Sequence, residues 1–157
     1  MSKVYLEDAE VVESLRAAHR GLGELVPFAE DVAGAKFEPV NDDARQAFDV
    51  VMKNVKEINE LLPTGVDAID AVLRGGNFDL MQEYFGGGQG IYWQVRQILS
   101  ALNDLSAEDF GAQDKEFEEF VGKVEDLCDR VVSAENPLHD GLQRIDDIED
   151  GYVQPSA

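Results

Sequence analysis

One cysteine among 157 residues rules out an internal disulfide and any zinc site built on several thiolates. Cys128 falls inside a helical apolar pattern, where a thiol acts first as a small core side chain. Histidine is almost as scarce. His19 and His139 each lack a second histidine four residues away, the spacing of a helical metal site. Glu-x-x-His, the pattern of di-iron helical bundles, is missing too, because Arg16 and Asn136 stand three residues before them. No Gly-x-Ser-x-Gly nucleophile elbow occurs. No stretch approaches the roughly 18 consecutive apolar residues of a membrane span. The N-terminus turns acidic at Glu7-Asp8, before any apolar core of a secretory leader develops. These absences leave no cofactor and no metal to expect, and no convergent set of nucleophile, base and oxyanion donor, so a non-enzymatic protein is expected. Its expected location is the cytoplasm or a virion.

Positive charge is the other shortage. Thirteen Lys and Arg stand against 33 Asp and Glu, a net charge of −20. From Ala101 onward there are 16 acids and 4 bases, a net −12. Binding phosphates takes clustered Lys and Arg, so direct contact with nucleic acid or an anionic membrane is not expected. A basic protein partner, divalent cations or a salt-rich milieu are the settings in which such a field helps.

The apolar fraction, 44%, is enough for one packed domain. Its arrangement is helical throughout. Val11, Leu15, Ala18, Leu22, Leu25, Ala29 and Val32 recur in alternating steps of four and three, which predicts a helix over about 6–33 with a kink or break at Pro27. Residues 34–40 read as a loop. Asn41 caps a second helix carrying Ala44, Phe48, Val51, Val55, Ile58 and Leu62, and Pro63 is expected to end it. Thr64 is expected to cap a short third helix that stops at Gly75-Gly76. A further turn over 79–85 precedes Gly86-Gly87-Gly88-Gln89-Gly90, read as a hinge.

Beyond the glycines, Ile91, Val95, Ile98, Leu102 and Leu105 mark another helix, and Ser106 with Asp109 caps a turn ending near Gly111. Phe117, Phe120, Val121, Val124, Leu127, Cys128 and Val131 define a helix over about 113–134, Asn136-Pro137 a turn, and Leu138, Leu142, Ile145 and Ile148 a last helix. No segment alternates strictly, so no sheet is expected. The reading is all-α: a helical bundle of about five to seven helices in two halves, 1–85 and an acidic 91–150, joined at 86–90, with a flexible tail over 151–157.

Three features invite a chemical reading. The glycine run resembles a phosphate loop only superficially, since Ile91, Tyr92 and Trp93 follow where Gly-Lys-Ser/Thr is needed. The acids Asp146, Asp147, Glu149 and Asp150 lack the spaced ligands and central glycine of an EF-hand. The third is the most informative. Asp114, Glu118, Glu125 and Asp129, with Glu116, Glu119 and Asp126 between them, sit on the polar side of the phenylalanine-bearing helix. Carboxylates one helical turn apart lie about 5–6 Å from one another, a spacing that imitates a row of phosphates. The aromatics Phe78, Tyr84, Phe85, Tyr92 and Trp93 flank the glycines, as core or as interface anchors.

The expectation is an acidic helical inhibitor or antagonist of a basic protein, using these seven acids with Tyr92 and Trp93. Small immunity proteins and phage-encoded DNA mimics share this character of composition, although no motif here marks a family. The alternatives are a structural subunit of a virion or other assembly, forming a homo-oligomer through its apolar seams, and a halophilic protein whose acidity is environmental. The first two helices could also form the hairpin of leaderless secreted helical-hairpin proteins of Gram-positive bacteria, but the Trp-x-Gly turn of that class is missing between them.

Overall fold

The computed structural model describes residues 4–76 and 90–156. The expected turn over 79–85 and residues 86–89 of the expected hinge lie outside the described residues, as do Phe78, Tyr84 and Phe85.

Within the described residues the chain is a helical bundle without strands. Four α-helices follow in order: α1 (Ala9–Ala33), α2 (Asp42–Leu73), α3 (Ile91–Leu102) and α4 (Asp114–Glu149). Single 3-10 turns precede α1 (Val4–Glu7) and α4 (Ala107–Gln113). α1 lies between α2 and α4, and α3 packs on α2. Neighbours are antiparallel. Lys123 reaches Asp31 and Arg144 reaches Asp8, so α4 runs opposite to α1. Trp93 shares a groove with Lys53 and Leu61 while Ser100 shares one with Asp43 and Gln46, so α3 runs opposite to α2.

The seam residues of α1 are all buried, from Val11 to Val32, and they join those of the other three helices in one core. The starts of α1 and α2 are capped locally. Asp8 accepts from the amide of Glu10 at 2.9 Å, and Asn41 from that of Ala44 at 2.8 Å. The carboxylate of Asp109 takes the amide of Ser106 at 2.9 Å, which closes the expected turn before α4. Gly111 sits there at φ 57, with the Val40 side chain 3.4 Å from where a Cβ would stand.

The helix end expected at Pro63 and the turn expected at Asn136-Pro137 are corrected by the structure, and α1 has no break at Pro27. α1 continues through Pro27, α2 through Pro63 and α4 through Pro137. The second and third expected helices are therefore one, as are the last two. An interior proline costs about 3 kcal/mol, through the lost amide and the crowded carbonyl four residues earlier. Against that stand Ile69 and Val72 beyond Pro63, and Leu138, Ile145 and Ile148 beyond Pro137. Each such buried side chain stabilises by about 1.5–3 kcal/mol, provided the seam stays in phase. It does, because the prolines fall off the buried stripe: Pro27 and Pro63 are exposed and Pro137 is half-buried. Thr64 is not a cap. Its hydroxyl donates to the Glu60 carbonyl at 3.5 Å, inside the helix.

The two poles of the bundle differ. At one, Phe37, Phe48, Phe110, Phe117 and Phe120 form an aromatic knot, with the rings of Phe110 and Phe117 stacked 3.8 Å apart. The 34–41 loop is tied down beside them, since Val40 donates to the Asp109 carbonyl at 2.8 Å. At the other pole Tyr5 is buried, its hydroxyl donating to the Val72 carbonyl at 3.3 Å. The expected tail turns back there: the amide of Ala9 donates to the Ser156 carbonyl at 2.7 Å, and Val153 packs against the core.

Between the poles α1 and α4 approach closely at Gly141. A Cβ there would stand 3.1 Å from Leu15 Cδ2 and 3.3 Å from Ser14 Cβ. Gly122, on the same helix, has open space around its Cβ position. Gly122→Ala is thus expected to stabilise the fold by about 0.5–1 kcal/mol through helix propensity. Gly141→Leu is expected to destabilise it by about 1–3 kcal/mol through overpacking. Urea titrations of both variants give the two signs, and a stabilised Gly141→Leu would contradict this packing.

Candidate partner-binding face

All seven acids singled out on α4 are exposed. The helix divides them between two faces. At about 100° per residue, Asp114, Glu118, Glu125 and Asp129 share one stripe, on the side of α4 turned toward α3. Glu116, Glu119 and Asp126 share another, on the side turned toward α1. There Glu116 and Glu119 line a groove of about 530 Å³ with Glu30 and Asp31 of α1.

The bases sort between these faces. Lys123 pairs with Asp31 of α1 at 3.6 Å, and Arg130 with Glu24 of α1 at 4.0 Å and Asp126 at 3.8 Å. Arg144 pairs with Asp8 and, at 3.1 Å, with Glu10. Three of the four bases of α4 are thus turned to α1. Glu118, Glu125 and Asp129 have no ion-pair partner among the described residues.

The two aromatic candidates also separate. Trp93 is 39% exposed, beside Lys53, Glu57, Glu60 and Leu61 of α2. Tyr92 is half-buried on the opposite side of α3, toward α4. Burial first, and then the charge of Glu135 on α4, raise its phenol pKa above the ordinary value. Tyr92 therefore feels the charge of Glu135 on α4, while Trp93 lies beside α2.

Two side chains that the apolar seam passes over lie on the same side. Leu99 of α3 is 41% exposed and Val132 of α4 is 44% exposed. The signal was present in sequence: each stands one position beyond a seam residue, Ile98 and Val131.

No cluster of three His, Cys, Asp or Glu side chains is placed to hold a metal among the described residues. His19 is half-buried and His139 exposed. No helix among the described residues is long and apolar enough to cross a membrane. No family model, curated protein or solved structure matches the chain.

Proposed function

We propose that this chain is a non-enzymatic acidic binding protein, an inhibitor or antagonist that covers the basic surface of another protein as an immunity protein or nucleic-acid mimic does. The observation that supports this reading is the sorting of charge on α4. Its bases are engaged mainly along α1, while Glu118, Glu125 and Asp129 form an exposed row with no ion-pair partner among the described residues. Like charges one turn apart cost a helix a few tenths of a kcal/mol per pair, which a basic partner would reverse in sign. Steering by a field of this size also accelerates association at low salt.

Affinity capture from the native host at low and at high salt tests the reading. A basic protein is expected to be retained at low salt and released at 1 M salt on the order of the screening limit. The triple variant Glu118→Lys, Glu125→Lys, Asp129→Lys is expected to weaken its binding about 100-fold, some 1 kcal/mol for each reversed contact. The fold should keep its stability or gain slightly, because neighbouring like charges are relieved. Undiminished binding by the triple variant would sink the proposal. Recovery of assembly components at both salts would favour a structural subunit, and folding only in molar salt would favour an environmental origin of the acidity.

A further inference from the structure

The row of acids is not continuous. Along α4 the positions 114, 118, 121, 125, 129 and 132 advance by four, three, four, four and three, so Val121 and Val132 share the stripe with the carboxylates. Val121 is half-buried and Val132 exposed. The opposing helix supplies a matching edge. Tyr92 and Leu99 are seven residues apart and therefore on one side of α3, about 10 Å from each other along its axis. Trp93, Gln97 and Ser100 line grooves shared with α2, which leaves Tyr92 and Leu99 on the side of α3 turned toward α4. Leu99 and Val132 thus border the same groove, with Glu118, Glu125 and Asp129 along its outer rim. α3 itself carries no carboxylate, and its one charge is Arg96.

Contact between α3 and α4 is the slightest among the neighbouring α-helices, since α3 packs mainly on α2. Leu99 and Val132 leave 41% and 44% of their surface exposed beside the acids. An apolar floor with an acidic rim is complementary to a helix with an apolar stripe flanked by Lys and Arg, which docks through anchors at helical spacing. From Glu118 to Val132 the rim runs about 21 Å, four turns of such a helix.

Resting on the acidic-face reading above, we infer that the α3/α4 groove receives one amphipathic helix of a basic protein, its apolar residues on Leu99 and Val132 and its Lys and Arg against Glu118, Glu125 and Asp129. The partner is recognised by shape and pattern as well as by charge. A flat basic surface would reach the rim and leave the floor empty.

The test uses the full chain and two synthetic peptides of about 18 residues with identical Lys and Leu content. One places its leucines at helical spacing, and the other scrambles them. Binding is read by fluorescence anisotropy of labelled peptide at moderate salt. The helical peptide is expected to bind at least about 10-fold more tightly than the scrambled one. The double variant Leu99→Ser, Val132→Ser should bring the two within about twofold while leaving the scrambled peptide's affinity unchanged. Both positions are exposed, so circular dichroism should show the fold intact. Equal, salt-sensitive binding of the two peptides would overturn this inference and leave the acidic-face reading standing. An advantage that survives the double variant would also overturn it. No binding of either peptide would count against both.

Discussion

Arg144→Ala is expected to destabilise the protein by about 3–5 kcal/mol, among the largest effects of any single substitution. Asp8 is wholly buried, and its carboxylate caps α1 by accepting from the Glu10 amide while Arg144 Nε donates to its other oxygen. Removing the guanidinium leaves that carboxylate out of water with only its cap bond. The full desolvation cost then falls on the folded state. The two residues lie 136 positions apart, so the pair also fastens the end of α4 to the beginning of α1. Asp8→Asn with Arg144→Met should recover most of the loss, because asparagine caps about as well as aspartate and the pair's charges vanish together. Urea unfolding of the single and double variants measures both. A cost below about 1 kcal/mol for Arg144→Ala would show that Asp8 is not held as a buried charge.

The second large effect belongs to Cys128 and is expected in alkali. Its thiol is buried in the bundle. That burial first, and then the charges of Asp129 and Glu125, push its pKa from 9.0 to about 12. In the unfolded chain the thiol ionises first. The contribution to stability is therefore complete below about pH 9 and is lost as the pH climbs from there toward 12. A separation of this size is worth about 4 kcal/mol. Tyr92 and Tyr5, also raised by burial, pull the same way at still higher pH. Cys128→Ala pays a cavity penalty at neutral pH, but its stability should fall less steeply, so the difference between variant and native protein should close or reverse between pH 9 and 12. Guanidinium titrations across that range decide it. A parallel decline of the two proteins would show that the thiol is not shielded in the fold. At pH 8 the native thiol should also resist a disulfide reagent until the protein unfolds.

How these features read in sequence depends on how local their causes are. The alternating seam of α1, the Asn41 cap and the Ser106–Asp109 turn involve residues within a turn or two of each other, and each was legible. Pro63 and Pro137 misled because a proline's cost is local, whereas the burial of Ile69 or Ile145 that outweighs it comes from other helices. The aromatic knot shows the same limit. Phe48, Phe117 and Phe120 stood out by periodicity, but Phe37 lay in a loop segment and its place among them rests on the path of the chain. On the candidate face, the acids were visible as composition. Their division into an α1 side and an α3 side needed the direction in which α4 packs, and so did the meeting of Leu99 with Val132.

The hydrogen bond between Ala9 and Ser156 brings the two ends of the described chain to one pole, beside Asp8 and Arg144 and away from the aromatic knot. The two described ends thus lie close together. A short linker joining the ends should allow a circularly permuted chain, opened in the exposed part of the 34–41 loop, to build the same bundle. A reporter or surface tether joined near Ala9 or Ser156 would sit at that shared pole, away from the flank of the bundle.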